Sequence, residues 1–126
     1  MFTRSLAQRL QTPALSIVLK FLFALLIVVE IYASLMPVDD TGIDLPHFDK
    51  VAHFIMHWVN MCVAGIVFIK GRSFMVAAVL LFLLGPAIEF MQGTLAHREA
   101  SYADQVANTL GYLVGLLTTK RLFRGE

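Results

Sequence analysis

The chain has 126 residues, 58% of them hydrophobic, a mean hydropathy of +0.74 and a formal net charge of +1. Soluble domains are usually about half apolar or less, so this balance points to a membrane protein, with length for one domain of about four spanning helices. A near-neutral charge excludes a basic field for nucleic acid, and the single cysteine, Cys62, excludes an internal disulfide or a paired-cysteine metal or redox motif.

The first hydrophobic run covers residues 14–36 and closes at Pro37. It follows Arg4 and Arg9, as a signal peptide would. It is longer than a secretory apolar core and lacks a small-residue cleavage site, so it is predicted to be a retained spanning helix. A loop with Pro37, Gly42 and Pro46 and the acidic residues Asp39, Asp40 and Asp44 leads to the second run, residues 51–69. The basic turn Lys70-Gly71-Arg72 separates it from the third, residues 73–92, in which Gly85-Pro86 predicts a kink. The fourth covers residues 102–119 and ends at Lys120 and Arg121. Open strands cannot sit in lipid, and ten-residue alternating strands are absent. The expected fold is all-α, a polytopic bundle of four transmembrane helices forming a single domain.

Basic residues give an orientation. Arg4, Arg9, Lys70, Arg72, Lys120, Arg121 and Arg124 fall on one side, against Lys50 and Arg98 on the other. The positive-inside rule then places both termini in the cytoplasm. The polar residues of the helices map to the outer side.

Residues three or four apart share a helix face. Asp49, His53, His57 and Asn60 form one stripe, Glu89 and Gln92 a second, and Asp104, Asn108, Gly111 and Gly115 a third. Glu30 and Ser34 lie one turn apart, ~10 Å and ~5 Å before Pro37 at the helical rise. Ionisable groups at membrane depth cost at least a few kcal/mol unless paired or hydrated. Pointing the stripes at one another is the economical solution, and it builds an outward-facing polar pocket with Arg98 above it. Gly111-x-x-x-Gly115 predicts a close helix approach below that pocket. Ser101-x-x-Asp104 also resembles a capping box, and Asp49 a helix cap.

No phosphate loop, HExxH or GxSxG motif is present. His53 and His57 stand at i, i+4 but lack the accompanying glutamate, so neither a metal nor a cofactor is expected. The chemistry these residues suggest is acid–base work by Asp49, His53, Glu89 and Asp104. Lys50, Gln92, Arg98 and Asn108 would bind an anionic headgroup or pyrophosphate.

Ser34-x-x-Pro37, Asp49-Lys50-x-x-His53, Glu89-x-x-Gln92 and Arg98-x-x-Ser101-x-x-Asp104-x-x-x-Asn108-x-x-Gly111 together resemble the VanZ-like family of small membrane proteins. The resemblance covers roughly residues 34–115. His57 departs from it, since the family commonly has a tyrosine there. The resemblance implies a multi-pass protein of the bacterial cell envelope, in the cytoplasmic membrane. It also implies a link to low-level resistance to the glycopeptide teicoplanin. The expected partners are membrane lipids or a lipid-linked envelope precursor, with a homo-oligomer an open possibility. Whether the protein is an enzyme stays open, against a non-catalytic scaffold whose polar network only fixes the bundle.

Overall fold

The computed structural model describes residues 10, 12–37, 45–69 and 71–122. Asp39, Asp40 and Asp44 of the first loop, and Arg4, Arg9, Lys70 and Arg124 of the orientation argument, lie outside the described residues. Among the described residues there are four long helices and no strand: α1 (Pro13–Leu35), α2 (Phe48–Phe68), α3 (Arg72–Gly93) and α4 (Tyr102–Leu122).

Each helix has a local reason to begin and end where it does. Pro13 opens α1, where its missing N–H and fixed φ are no handicap. α2 starts after His47, whose φ of 58° turns the chain through the left-handed region. α3 continues through Pro86 as one helix. At α4, the Ser101 hydroxyl accepts the Asp104 backbone N–H at 3.3 Å, the forward half of a capping box. Helices of 21 to 23 residues are about 31–35 Å long, enough to cross a hydrocarbon layer of ~30 Å.

The helices are apolar outside and small or polar inside. α1 exposes Ile17, Phe21, Leu25, Val28 and Tyr32, and buries Glu30. α4 exposes Val106, Leu110, Leu113 and Leu117, and buries Asp104, Asn108, Gly111, Gly115 and Thr119. Water would select the opposite arrangement, whereas lipid-facing helices associate through small residues and interhelical hydrogen bonds. α1, α2 and α3 are each long and apolar enough to cross a membrane. α4 has the same length but a more polar composition, because its inner stripe is polar and packs against α2.

Glycines set the closeness of the α2–α4 pair. A Cβ added to Gly111 would stand 2.2 Å from the Phe54 carbonyl oxygen. One added to Gly115 would stand 2.6 Å from Met61 Cβ and 2.9 Å from the Trp58 carbonyl oxygen. On α2, Gly65 makes room for Thr119, whose hydroxyl donates to the Met61 carbonyl at 3.4 Å. Cys62, a free thiol, is partly buried beside the Gly115 carbonyl. Next to this pair, Met61, Ala64, Ala77, Ala78 and Leu81 form the apolar core. Phe23 of α1 closes its edge by packing edge-to-face on Phe68, with ring centroids 5.6 Å apart.

Candidate functional site

The start of α2, the end of α3 and the start of α4 meet at one end of the bundle. The Lys50 ammonium donates to Asp49 Oδ2 at 2.9 Å and to Asp104 Oδ1 at 3.1 Å. The three residues grade in exposure. The side chains of Lys50 and Asp49 are about a third exposed, at 34% and 36%, and Asp104 is buried at 6%. This ion pair therefore joins the bundle surface to its interior.

One turn further in, His53 and Asn108 face each other, with His53 Nδ1 3.0 Å from Asn108 Oδ1. Asn108 Nδ2 points to Glu89 Oε1 at 3.4 Å. These two contacts determine the proton on His53. A carboxylate offers only acceptors, so Asn108 presents its NH2 to Glu89 and its carbonyl to the histidine. His53 Nδ1 must then carry hydrogen and donate it. Nε2 is left as the free end of the ring.

Glu89 is fixed from its other side by the backbone. Its Oε2 accepts the Ser101 N–H at 2.9 Å. In a complete capping box, the acidic residue at position 104 would take that N–H. Here Glu89, from a different helix, takes it, and Asp104 is free to hold Lys50. One ligand atom each from His53, Glu89 and Asp104 lies within 4.8 Å of the other two, and all three residues are buried.

The remaining expected site residues are placed differently. Gln92 is fully buried, and its amide nitrogen donates to the Ser34 carbonyl at 2.7 Å, tying α3 to the end of α1. Arg98, in the α3–α4 connection, is partly buried and makes no ion pair among the described residues. It lines a cleft of about 80 Å³ with Ser34, Met36, Phe48, Asp49 and His53. The neighbouring His97 is exposed and bonds the Leu35 carbonyl at 3.0 Å.

A second polar cluster lies deeper. Glu30 Oε1 is 2.7 Å from His57 Nδ1, and Glu30 Oε2 accepts from Asn60 Nδ2. All three side chains are at most 3% exposed. The His53–His57–Asn60 spacing placed two of these residues on one face. Their joint partner on α1 could not be read from spacing, because it depends on how α1 docks. Gly85 keeps the space between the clusters open: a Cβ there would stand 3.3 Å from His57 Nε2 and 3.2 Å from Asn108 Cβ.

The fold and this cluster define a multi-pass helical membrane protein with a buried polar network at one end. The family model described as VanZ/LLP1 matches residues 2–124, nearly the whole chain, and the protein belongs to that family. No curated protein and no solved structure matches the chain.

Proposed function

We propose that this VanZ/LLP1-family membrane protein holds the anionic headgroup of a membrane lipid, or of a lipid-linked envelope precursor, in the cleft at this end of the bundle. The observation that carries the reading is Arg98. It is a partly buried cation without a carboxylate partner among the described residues, and it lines a cleft shared with Asp49 and His53. The cleft has room for a phosphate-sized group. The helix faces beneath it are apolar, so lipid tails would reach the cleft from the side. Arginine is suited to bidentate phosphate recognition.

In this reading the cleft faces outward from the bacterial cytoplasmic membrane and both termini are cytoplasmic, on the strength of the basic-residue asymmetry. Holding an envelope precursor in this way would account for a contribution to teicoplanin resistance. If the headgroup is also processed, Asp49, His53, Glu89 and Asp104 are the acid–base groups within reach, with Lys50 and Asn108 orienting them.

The test is native mass spectrometry of the protein released from nanodiscs of mixed phosphatidylglycerol and phosphatidylcholine. Wild type is expected to retain phosphatidylglycerol selectively, and Arg98→Gln to lose that selectivity. Equal retention of both lipids by wild type refutes the reading. Gln92 favours the alternative, a scaffold, because its amide nitrogen donates between helices, to the Ser34 carbonyl of α1. The scaffold predicts that Arg98→Gln folds normally and changes no lipid preference.

A further inference from the structure

We infer that His53, Glu89 and Asp104 form a binding site for a single divalent transition-type cation, such as Mn2+, Fe2+ or Zn2+. The inference rests on three observations, each from a different side of the cluster.

The first is the donor set. One nitrogen and two carboxylate oxygens converge from α2, α3 and α4, within 4.8 Å of one another and buried. Ligand atoms on one ion stand ~3.0–3.5 Å apart at bond lengths of ~2.1 Å. Binding an ion would draw the three ligand atoms together to that spacing. Imidazole with carboxylates suits Mn2+, Fe2+ or Zn2+ better than Mg2+ or Ca2+. Three protein ligands also leave coordination positions open.

The second is the free nitrogen. His53 is 6% exposed, and its Nδ1–H is committed to Asn108. No hydrogen-bond partner of Nε2 occurs among the described residues. In the proposed site Nε2 would be the ligand, as in metal-binding histidines whose other ring N–H is bonded to an outer partner. The carboxylates are fixed likewise, Glu89 by Ser101 N–H and Asn108, and Asp104 by Lys50.

The third is charge. Lys50 reaches Asp49 and Asp104, and no cation of the described residues contacts Glu89. Asp104 holds Lys50, whereas Glu89 is a buried carboxyl with no positive partner among the described residues, the kind of group a bound cation would compensate. A divalent ion bound there would add two positive charges beside the cleft that Arg98 and Asp49 line. This last consequence rests on the headgroup reading above: the ion would strengthen the attraction of the site for an anion. The ion site itself does not depend on that reading.

The experiment uses the full chain in phosphatidylcholine nanodiscs, stripped with chelator and titrated with Mn2+. Electron paramagnetic resonance counts the bound ion, and electron spin-echo modulation reports a coordinated imidazole nitrogen. Wild type is expected to bind one Mn2+ per chain with nitrogen modulation. Glu89→Gln and Asp104→Asn should weaken binding by about tenfold or more, and His53→Gln should abolish the modulation. The double variant His47→Gln/His97→Gln removes two exposed histidines and should bind as wild type does. If His53→Gln does not fold, wild type and this double variant still decide the matter. Absence of saturable binding in wild type overturns the inference, and so does loss of the nitrogen signal in the double variant. Phosphatidylglycerol retention is then compared with and without Mn2+. A rise on adding the ion supports the strengthened attraction. Saturable Mn2+ binding with unchanged retention overturns that consequence and leaves the ion site standing. An ion-independent preference for phosphatidylglycerol leaves the headgroup reading standing without the ion.

Discussion

The two polar clusters use the same side-chain types at different depths. Glu30, His57 and Asn60 lie inside the bundle, each at most 3% exposed, with the carboxylate held between a histidine and an amide. Near the helix ends, Glu89, His53 and Asn108 repeat the trio, but Asp104 and Lys50 join it to the surface and the cleft beside it is lined by Arg98. The deep cluster draws on two helices and gives α1 its one buried residue. The outer cluster draws on three and keeps one histidine nitrogen unused. Depth accounts for the difference. A buried ionisable group far from water must find its partners within the protein. One near the interface can leave a valence for a ligand.

The largest effect is expected from breaking the deep cluster. Glu30→Leu removes the carboxylate between His57 and Asn60 and should lower stability by ~3 kcal/mol or more, read by reversible unfolding in detergent. Glu30→Leu/His57→Leu should recover most of that loss, since replacing both members of a buried pair with apolar groups is often close to neutral. A single variant as stable as wild type would mean that the deep cluster holds nothing together.

Gly111 lies on the polar stripe of α4, one turn in from Asn108. Gly111→Leu drives a side chain into the Phe54 carbonyl, and overpacking of this kind costs about 1–3 kcal/mol. Parting α2 from α4 should also separate His53 from Asn108. Loss of stability with the outer cluster intact, seen as an unchanged 15N shift of the His53 ring, would show that the glycines and the cluster are independent.

The smallest effect is expected at Gln92. Gln92→Leu deletes one amide-to-carbonyl bond to Ser34, and interhelical hydrogen bonds in membranes average about 0.6 kcal/mol. A much larger loss in the same unfolding measurement would make Gln92, alongside the buried Glu30, a main anchor of α1.

Much of the fold was legible in the residues alone. Four runs of spanning length, punctuated by Pro37, the Gly71 turn and the polar α3–α4 connection, correspond to the four helices, and the match to VanZ/LLP1 agrees with the motifs quoted from Ser34 to Gly111. Helical spacing also put Asp49, His53, Asp104 and Asn108 on inward stripes, because polar residues on a membrane helix are confined to the face that avoids lipid. Partner choice was not legible. Ser101-x-x-Asp104 resembles a capping box, and the Asp104 N–H does bond the Ser101 hydroxyl, yet Glu89 takes the Ser101 N–H and leaves Asp104 to Lys50. Gln92 was grouped with ligand-binding residues, and its amide nitrogen donates to the Ser34 carbonyl of α1, a partner that spacing could not supply.

What the sequence by itself determined is which residues must leave the lipid, since transfer free energy and helical period act on each segment separately. Only the tertiary structure decided which groups then meet. The docking of α1 on α2 brings Glu30 to His57 and Asn60, and the close α2–α4 approach allowed by Gly65, Gly111 and Gly115 helps gather His53 and Asp104 near Glu89 of α3. Those pairings depend on distances of a few ångströms between segments far apart in the chain, and periodicity within any one segment carries no information about them.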